Sequence, residues 1–249
     1  MAPGRTRVAE LTALTFLGTG NYFASKRYWN SFVVDGSVLV EPSPTVLPHL
    51  RRAGIPAAGL DTIVISHFHA DHTFGWPFLL LELLREHDGR PLFVVGPPEV
   101  RSFLTEMTML AGVPDVHEAA HAQLDLRYVE VDGSWQDAGP LRFRAVEVEH
   151  VPHLRCFGYL FDRGEPTIGY SGDTRQCPGL DEIAAGADAV VLECNGVHPW
   201  PTHMDVESVR TLRARFPGVR FLLSHLGDDV DACAMEGFTV PDDFETVHV

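Results

Sequence analysis

The sequence lacks the features of an exported or membrane-bound chain. No part of its 249 residues is an apolar run of the ~18 residues that a membrane span requires. The first ten residues contain two arginines but no apolar stretch long enough for a secretory signal. We therefore expect a cytoplasmic protein with no membrane partner.

Cysteine is scarce as well, with four residues in the whole chain. No two of them form a Cys-x-x-Cys pair, which excludes the spacing of a zinc knuckle and of a paired redox motif. We expect the reduced thiols of a cytosolic protein at Cys156, Cys177, Cys194 and Cys233.

Basic residues are few, since 19 Lys and Arg stand against 34 Asp and Glu and give a formal net charge of −15. An acidic chain has no general attraction for phosphate backbones, so we expect a small-molecule substrate rather than a nucleic acid. Bound divalent metals would still make one face locally positive. The length favours one large domain, which we take to span residues 1–249.

Short β-rich runs with helices between them make up the rest of the chain. Asp35-Gly36 is a strong hairpin signal between the strands predicted at 31–34 and 37–40. Further strands are predicted at 11–18, 62–66, 91–95, 124–131, 141–148, 157–161, 167–171, 187–193 and 220–224. Helices are predicted at 76–86, 98–111 and 205–215. This pattern predicts an α/β fold with helices outside packed sheets.

One segment carries the chemistry. Ser66-His67-Phe68-His69-Ala70-Asp71-His72 places three histidines and a carboxylate within six residues, directly after an apolar strand. Imidazole and carboxylate together suit zinc and similar divalent metals. Burying this much polarity without a metal would leave several groups in need of partners. We therefore predict a metal site in a loop at this strand end.

This segment resembles the His-x-His-x-Asp-His signature of the metallo-β-lactamase superfamily. Other motifs occur in that family's order, namely Leu17-Gly18-Thr19-Gly20, the hairpin region 30–44, Ser171-Gly172-Asp173-Thr174 and Leu223-Ser224-His225-Leu226. Within the hairpin region, Glu41 stands where Asp is usual. The resemblance covers about residues 11–245 and implies a four-layer αββα sandwich.

The resemblance also implies a site for two metal ions, with zinc as the first choice and manganese or iron as alternatives. The matching residues are His67 and His69 for the first ion, Asp71, His72 and His225 for the second, and Asp173 as the bridge. The two ions would share a hydroxide that attacks the substrate, with Asp71 or Asp173 orienting it.

A third histidine ligand for the first ion is expected before a Gly-Tyr strand. Both His150 and His153 precede the Gly-Tyr pair at 158–159. Strand periodicity puts His150 on the same face as Val148, which favours it. The spacing to the Gly-Tyr pair leaves His153 open.

His203 is predicted to protonate the leaving group. A histidine at a similar place is catalytic in the RNase Z-like branch of the family, which His203 resembles. Asp205 either holds the tautomer of His203 or caps the predicted helix.

Other aromatic and histidine side chains receive milder interpretations. Tyr22, Phe23, Tyr28 and Trp29 are expected to be divided between a substrate cleft and the core. His198 is expected in a packed loop, with a pocket wall as the alternative. Histidines without a matching spacing are interpreted as surface residues, namely His49, His87, His117, His121 and His248.

The Ser-Gly-Asp-Thr element resembles the RNase Z and cyclic phosphodiesterase branch, which implies a phosphodiester substrate. RNase Z enzymes carry a tRNA-gripping arm, in one large class between the third histidine motif and the bridging Asp. Here that interval is residues 151–172, too short for such an arm. We therefore expect a metal-dependent hydrolase that acts on a small phosphodiester.

Two alternatives to this function stay open. A carboxylic ester or lactone is the alternative substrate, because the same hydroxide attacks either centre. An iron-dependent redox protein or dioxygenase on the same fold is the alternative from another class. A homodimer is compatible with the resemblance, since many members of the family dimerise.

Overall fold

Two β-sheets form the centre of the fold. The computed structural model describes residues 11–86, 88–112, 114–162, 164 and 166–249. In chain order, the strands within these ranges are Ala13–Gly18 (β1), Ser31–Val34 (β2), Val38–Val40 (β3), Thr62–Val64 (β4), Leu92–Gly96 (β5), Leu126–Glu130 (β6), Trp135–Ala138 (β7), Leu141–Val148 (β8), Cys156–Asp162 (β9), Ile168–Tyr170 (β10), Ala189–Glu193 (β11), Arg220–Ser224 (β12) and Thr246–His248 (β13).

The strand order brings several chain segments to the same sheet edges. The first sheet has the order β13-β1-β2-β3-β4-β5-β6, and the second has the order β12-β11-β10-β9-β8-β7. Strands β3 to β6 run parallel to one another, and so do β10 to β12. Because parallel neighbours end at the same edge, the segments that leave β10, β11 and β12 lie side by side.

Helices cover the outer face of each sheet. They are Val46–Arg52 (α1), Ala70–Thr73 (α2), Trp76–Glu86 (α3), Val100–Leu110 (α4), Pro114–Gln123 (α5), Pro178–Gly186 (α6) and Val206–Arg215 (α7). Helices α1, α3, α4 and α5 share a buried cluster with the first sheet, and α6 and α7 share one with the second. A third cluster fills the space between the sheets. The predicted four-layer αββα sandwich is therefore confirmed.

No helix within the described ranges is both long enough and apolar enough to cross a membrane.

The predicted hairpin is also confirmed. Strands β2 and β3 pair antiparallel, and Asp35 and Gly36 between them have φ values of 46° and 71°. Glycine adopts this left-handed region freely and aspartate tolerates it. The two residues thus supply the reversal that the sequence signal predicts.

Several observed elements lie outside the sequence prediction, among them α1, α5, α6, β7 and β13. Strand β13 has three residues and pairs with β1 from the other end of the chain. So short a segment has no periodicity that a sequence can reveal. Helix α6 begins at Pro178, and this position of proline is a helix-start signal that the sequence offered.

The interpretation of His49 as a surface residue is wrong. His49 lies on α1 with 6% of its surface exposed. Its ring centroid is 4.3 Å from that of Tyr28 and 5.1 Å from that of Phe244. Of the histidines grouped with it, His117 and His121 are half-buried, His248 is exposed, and His87 lies outside the described residues.

The burial of His49 makes stability depend on pH. Burial is the main influence and lowers the pKa of His49; Asp243 opposes this effect and Arg52 adds to it. The pKa of His49 in the unfolded chain is about 6.5. The contribution of buried, neutral His49 to the free energy of unfolding is therefore complete above that pH and is lost as the pH falls below it. Between pH 7.5 and 5.5, we expect His49→Phe to lose less unfolding free energy than wild type, by up to about 1 kcal/mol.

Urea unfolding of both proteins across this pH range measures the difference. His248→Phe is the matched control because His248 is exposed. Parallel stability curves for wild type and His49→Phe would contradict the prediction.

Candidate metal centre

The histidine-rich segment leaves β4 and enters the short helix α2. Phe68 stacks on a phenylalanine of α4 with ring centroids 4.2 Å apart, which anchors the loop in the first-sheet core. His67 and His69 on either side of it have ring centroids 4.6 Å apart. Asp71 and His72 lie on α2, with Asp71 Oδ2 3.3 Å from His72 Nε2. One short segment thus presents four potential metal ligands to one place.

Three imidazoles from two parts of the chain form a first donor set. His67 Nε2 lies 2.9 Å from His69 Nδ1, and His150 Nε2 lies 3.3 Å from the same nitrogen. Together with Asp173, these residues offer ligand atoms that lie within 4.8 Å of one another. His153 is exposed in a turn, with its ring centroid 6.4 Å from that of His69. The fold therefore brings His150 to this set and leaves His153 outside it.

Hydrogen bonds orient two of these rings. His150 Nδ1 lies 2.9 Å from the carbonyl oxygen of Thr202. Because a carbonyl only accepts, Nδ1 carries the proton and Nε2 presents its lone pair to the site. His67 Nδ1 is paired with Ser66 Oγ at 2.9 Å, which leaves Nε2 for the site.

Burial also sets the protonation of this set. Burial is the largest influence on the pKa of each of its three histidines, and all three pKa values are lowered, that of His67 well below its ordinary value. They are therefore neutral at pH 7. Neutral imidazole is the form that binds a metal ion.

A second donor set consists of Asp71, His72 and His225. Asp173 lies between the two sets, with Oδ2 3.3 Å from the Nε2 atoms of both His72 and His225 and 3.9 Å from His67 Nε2. The other oxygen of Asp173 is buried without a hydrogen-bond partner among the described residues. A carboxylate in this position can bridge two ions.

Special backbone conformations turn the ligands inward at two strand ends. Gly172, after β10, has φ 58°, and a Cβ there would lie 2.5 Å from the carbonyl oxygen of Phe157. Only glycine therefore lets the chain turn at this point, directly before Asp173. His225, after β12, has φ 52°, which is uncommon for a residue with a side chain. Strained residues of this kind concentrate at functional sites.

The balance of charge shows whether these residues fit divalent cations. Four carboxylates are buried around the histidines, namely Glu41, Asp71, Asp173 and Glu193. Burial opposes protonation of His72 and His225, yet the neighbouring carboxylates raise both pKa values, that of His225 to about 10. The centre therefore favours positive charge, and the ring nitrogens of both histidines have no hydrogen-bond partner among the described residues. Two divalent cations would balance the four carboxylates, so the residues fit such ions.

Glu41 contacts the segment that carries the ligands. In the family that the sequence resembles, Asp is usual at this position. Its φ is 61°, and its carboxylate accepts hydrogen bonds from the Ser66 N–H and the Tyr170 hydroxyl, both at 3.1 Å. Glu41 Oε1 also lies 3.7 Å from His72 Nδ1. Glu41 thus fixes the end of β4 and places negative charge beside His72.

His203 lies next to both donor sets and is held by Glu193. The sequence interpretation did not single out Glu193. His203 Nδ1 lies 2.9 Å from Oε2 of Glu193, the last residue of β11. The Thr174 N–H donates to the other oxygen of Glu193. Burial opposes protonation of His203, but the charge and hydrogen bond of Glu193, together with Asp173, raise its pKa. This environment favours the protonated form that a general acid needs.

Asp205 takes the second of its two predicted roles. It caps α7, where its side chain accepts a hydrogen bond from the Ser208 N–H at 2.7 Å, so Glu193 and not Asp205 holds His203. A signal for Glu193 was present in the sequence, because it is a carboxylate at the end of an otherwise apolar strand. A buried charge at such a place needs a partner.

A cavity of about 350 Å³ opens over the site, and Tyr22 and Phe23 form part of its wall. Tyr28 and Trp29 line a neighbouring cavity instead. None of these four aromatic residues is buried, so the expectation that half of them belong to the core is wrong. His198 is exposed rather than packed.

The two histidines considered as the third ligand predict different metal contents. We expect His150→Ala to lower zinc affinity at the first donor set by at least about 100-fold. Removing a residue that only hydrogen-bonds to a metal ligand already costs up to about 100-fold, and His150 would itself be a ligand. We expect His153→Ala to bind zinc like wild type, because its side chain lies outside the set. Zinc titration with a chromophoric chelator measures both. Equal affinities in the two variants would contradict the assignment.

Comparisons with known proteins agree with this geometry. A family model described as "Beta-lactamase superfamily domain" matches residues 37–226, more than half of the chain. The chain belongs to the beta-lactamase superfamily. A curated relative, "Ribonuclease Z" of Mycobacterium avium (strain 104), is 32% identical over 192 residues, which cover 72% of this chain and 68% of the relative. The protein is therefore a metal-dependent hydrolase.

Solved structures share the fold of this superfamily member. A diphosphatase from the PhnP family superposes with a TM-score of 0.79 at 19% identity, over 95% of this chain and 97% of that one. The short form of human tRNase Z gives a TM-score of 0.74 at 20% identity, over 94% and 98% of the two chains. These likenesses confirm the metallo-β-lactamase architecture.

Proposed function

We propose that the protein hydrolyses small phosphodiesters with the help of two divalent metal ions. The observation that carries this proposal is the convergence of two donor sets around Asp173, beside the pair of His203 and Glu193. The first ion would be held by His67, His69, His150 and Asp173, and the second by Asp71, His72 and His225. Asp173 would also reach the second ion, because its Oδ2 lies 3.3 Å from the Nε2 atoms of His72 and His225.

The residues around the ions divide the chemical work. Bound ions would supply positive charge that makes water more acidic and stabilises charge developing on the phosphoryl oxygens. Asp71 would accept a hydrogen bond from the attacking water and direct its lone pair at phosphorus. His203 would donate its proton to the leaving oxygen, and Glu193 would hold the imidazole ring and compensate its charge.

The relatives support a phosphorus centre over a carbon centre. One relative is named a ribonuclease and one structural neighbour a diphosphatase. A cavity of about 350 Å³ lies in the range of small-ligand sites. The name ribonuclease also bears against our expectation that nucleic acid is not a substrate, so a short RNA belongs in the test.

The proposal is tested by metal content and substrate choice on one preparation. Metal is quantified per chain, and turnover is measured on bis(p-nitrophenyl) phosphate, p-nitrophenyl acetate, a lactone and a short RNA with a 3′ extension. We expect two zinc or manganese ions per chain and the highest kcat/KM on the small diester. Asp173→Asn serves as the control for contaminating activity.

Each other outcome points to a different function. Turnover confined to the acetate ester or the lactone would establish a carbon-ester hydrolase. One iron ion per chain without diester turnover would establish a redox protein or dioxygenase on the same fold. Faster cleavage of the RNA than of the small diester would make RNA the substrate.

A further inference from the structure

An aromatic pair projects into the mouth of the cavity. Tyr22 is 57% exposed and Phe23 is 77% exposed. Their ring centroids lie 5.0 Å apart with an interplanar angle of 77°, and both rings line the cavity over the metal centre. Leaving two aromatic rings in water contributes nothing to folding, and exposed apolar groups at a cavity mouth mark a binding surface.

The backbone beneath this aromatic pair is fixed from both sides. The side-chain NH2 of buried Asn21 donates to the main-chain and side-chain oxygens of Asn195 at 3.1 and 2.8 Å. Asn21 Oδ1 accepts from the Phe23 N–H at 3.0 Å, and the Asn21 N–H donates to the Leu226 carbonyl at 3.0 Å. Trp29 Nε1 donates to the Tyr22 carbonyl at 3.2 Å.

These contacts tie the aromatic pair to the catalytic machinery. Asn195 follows β11, which ends in Glu193, and Leu226 directly follows His225. The main chain that carries the two rings is therefore fixed relative to the metal centre. A surface that is ordered before the ligand arrives binds it at a lower entropic cost.

Long basic side chains are missing from the cavity wall as far as the structure describes it. Among the described residues that line it, none is lysine or arginine, and apart from Tyr22 its ionisable members are histidines and aspartates of the site. A phosphodiester carries a single negative charge, which bound ions can meet. The remainder of a well-bound substrate has to suit aromatic rings instead of guanidinium groups.

We infer that Tyr22 and Phe23 form a subsite for a planar aromatic group attached to the phosphoryl centre. This inference rests on the proposed function, because it takes the phosphoryl group to lie at the metal centre. A flat ring gains contact with both side chains, and stacking of a ring on a single aromatic side chain commonly strengthens binding by about tenfold.

Two phosphonates test the subsite without turnover. Phenylphosphonate and methylphosphonate share the same head group and differ in the ring. By calorimetry on the zinc-loaded protein, we expect wild type to bind phenylphosphonate about tenfold more tightly than methylphosphonate. We expect this preference to fall to about twofold or less in the double variant Tyr22→Ala/Phe23→Ala.

Two further variants separate stacking from general damage. Phe23→Tyr keeps a ring and should keep the preference. Phe78→Ala removes a ring that is 61% exposed on α3 and lies outside the cavity wall, so it should bind both phosphonates like wild type. In turnover, the double variant should raise KM for bis(p-nitrophenyl) phosphate by about tenfold with little change in kcat.

Equal binding of the two phosphonates by wild type would overturn the subsite, as would an unchanged preference in the double variant. A protein that hydrolyses no diester but keeps the ring-dependent preference would overturn the proposed function and support the subsite. Diester turnover without any ring-dependent preference would do the reverse.

Discussion

Asp173→Asn is expected to lower kcat/KM by about 10³-fold or more and to lower the amount of bound metal. Asp173 belongs to the first donor set, and its Oδ2 also lies 3.3 Å from the Nε2 atoms of His72 and His225 in the second. Asparagine has nearly the same shape but lacks the charge that attracts two cations. Both ions should therefore bind more weakly in the variant.

The measurements are metal content, kcat/KM and thermal unfolding in a chelator. We expect the metal-free melting temperature to change by no more than about 4 °C, which corresponds to about 1 kcal/mol for a chain of this size. Asp137→Asn is the control, because Asp137 is exposed on β7, away from the site. Full metal content and full turnover in Asp173→Asn would contradict the shared role of Asp173.

Glu193→Gln is expected to lower kcat by an amount that depends on the leaving group. Glu193 orients His203 through a 2.9 Å hydrogen bond and favours its protonated form. The prediction compares two substrates. The p-nitrophenolate of bis(p-nitrophenyl) phosphate departs without a proton, whereas the alkoxide that leaves from a dinucleotide needs one. We expect a loss of about 10²-fold or more on the dinucleotide and less than about tenfold on bis(p-nitrophenyl) phosphate.

His203→Ala should show the same dependence on the leaving group. The double variant Glu193→Gln/His203→Ala should have a kcat no lower than that of His203→Ala, because the two residues act as one unit. Asp205→Ala is the matched control, since Asp205 caps α7. It should cost about 1 kcal/mol of stability and show no dependence on the leaving group. Equal losses on both substrates in Glu193→Gln would contradict the acid role of His203.

The sequence predicted much of the fold because long apolar runs and turn residues act locally. The two parallel strands β11 and β12 and the helices α3 and α7 lie at or near their predicted ranges. Short or edge elements such as β13 escaped, since their hydrogen bonds come from a distant part of the chain.

His150 shows how a sequence argument can favour a residue for the wrong reason. The strand-face argument extended β8 to residue 150 and placed it on the face of Val148. In the structure β8 ends at Val148, and the Val148 side chain packs in the cluster under α6 and α7. His150 reaches the first donor set because the chain bends after the strand and the Thr202 carbonyl binds its ring.

By itself, the sequence determined the superfamily, the layered architecture and the ligand candidates of the His67–His72 motif, because the motif is contiguous and its spacing is visible without the fold. Only the tertiary structure decided that Glu193 holds His203, that His150 and not His153 joins the first set, and that Tyr22 and Phe23 face the cavity. Those outcomes depend on contacts between distant segments, such as the hydrogen bonds that join Asn21 to Asn195 across 174 positions. Local periodicity cannot encode which segments meet, because that is decided by how the two sheets pack against each other.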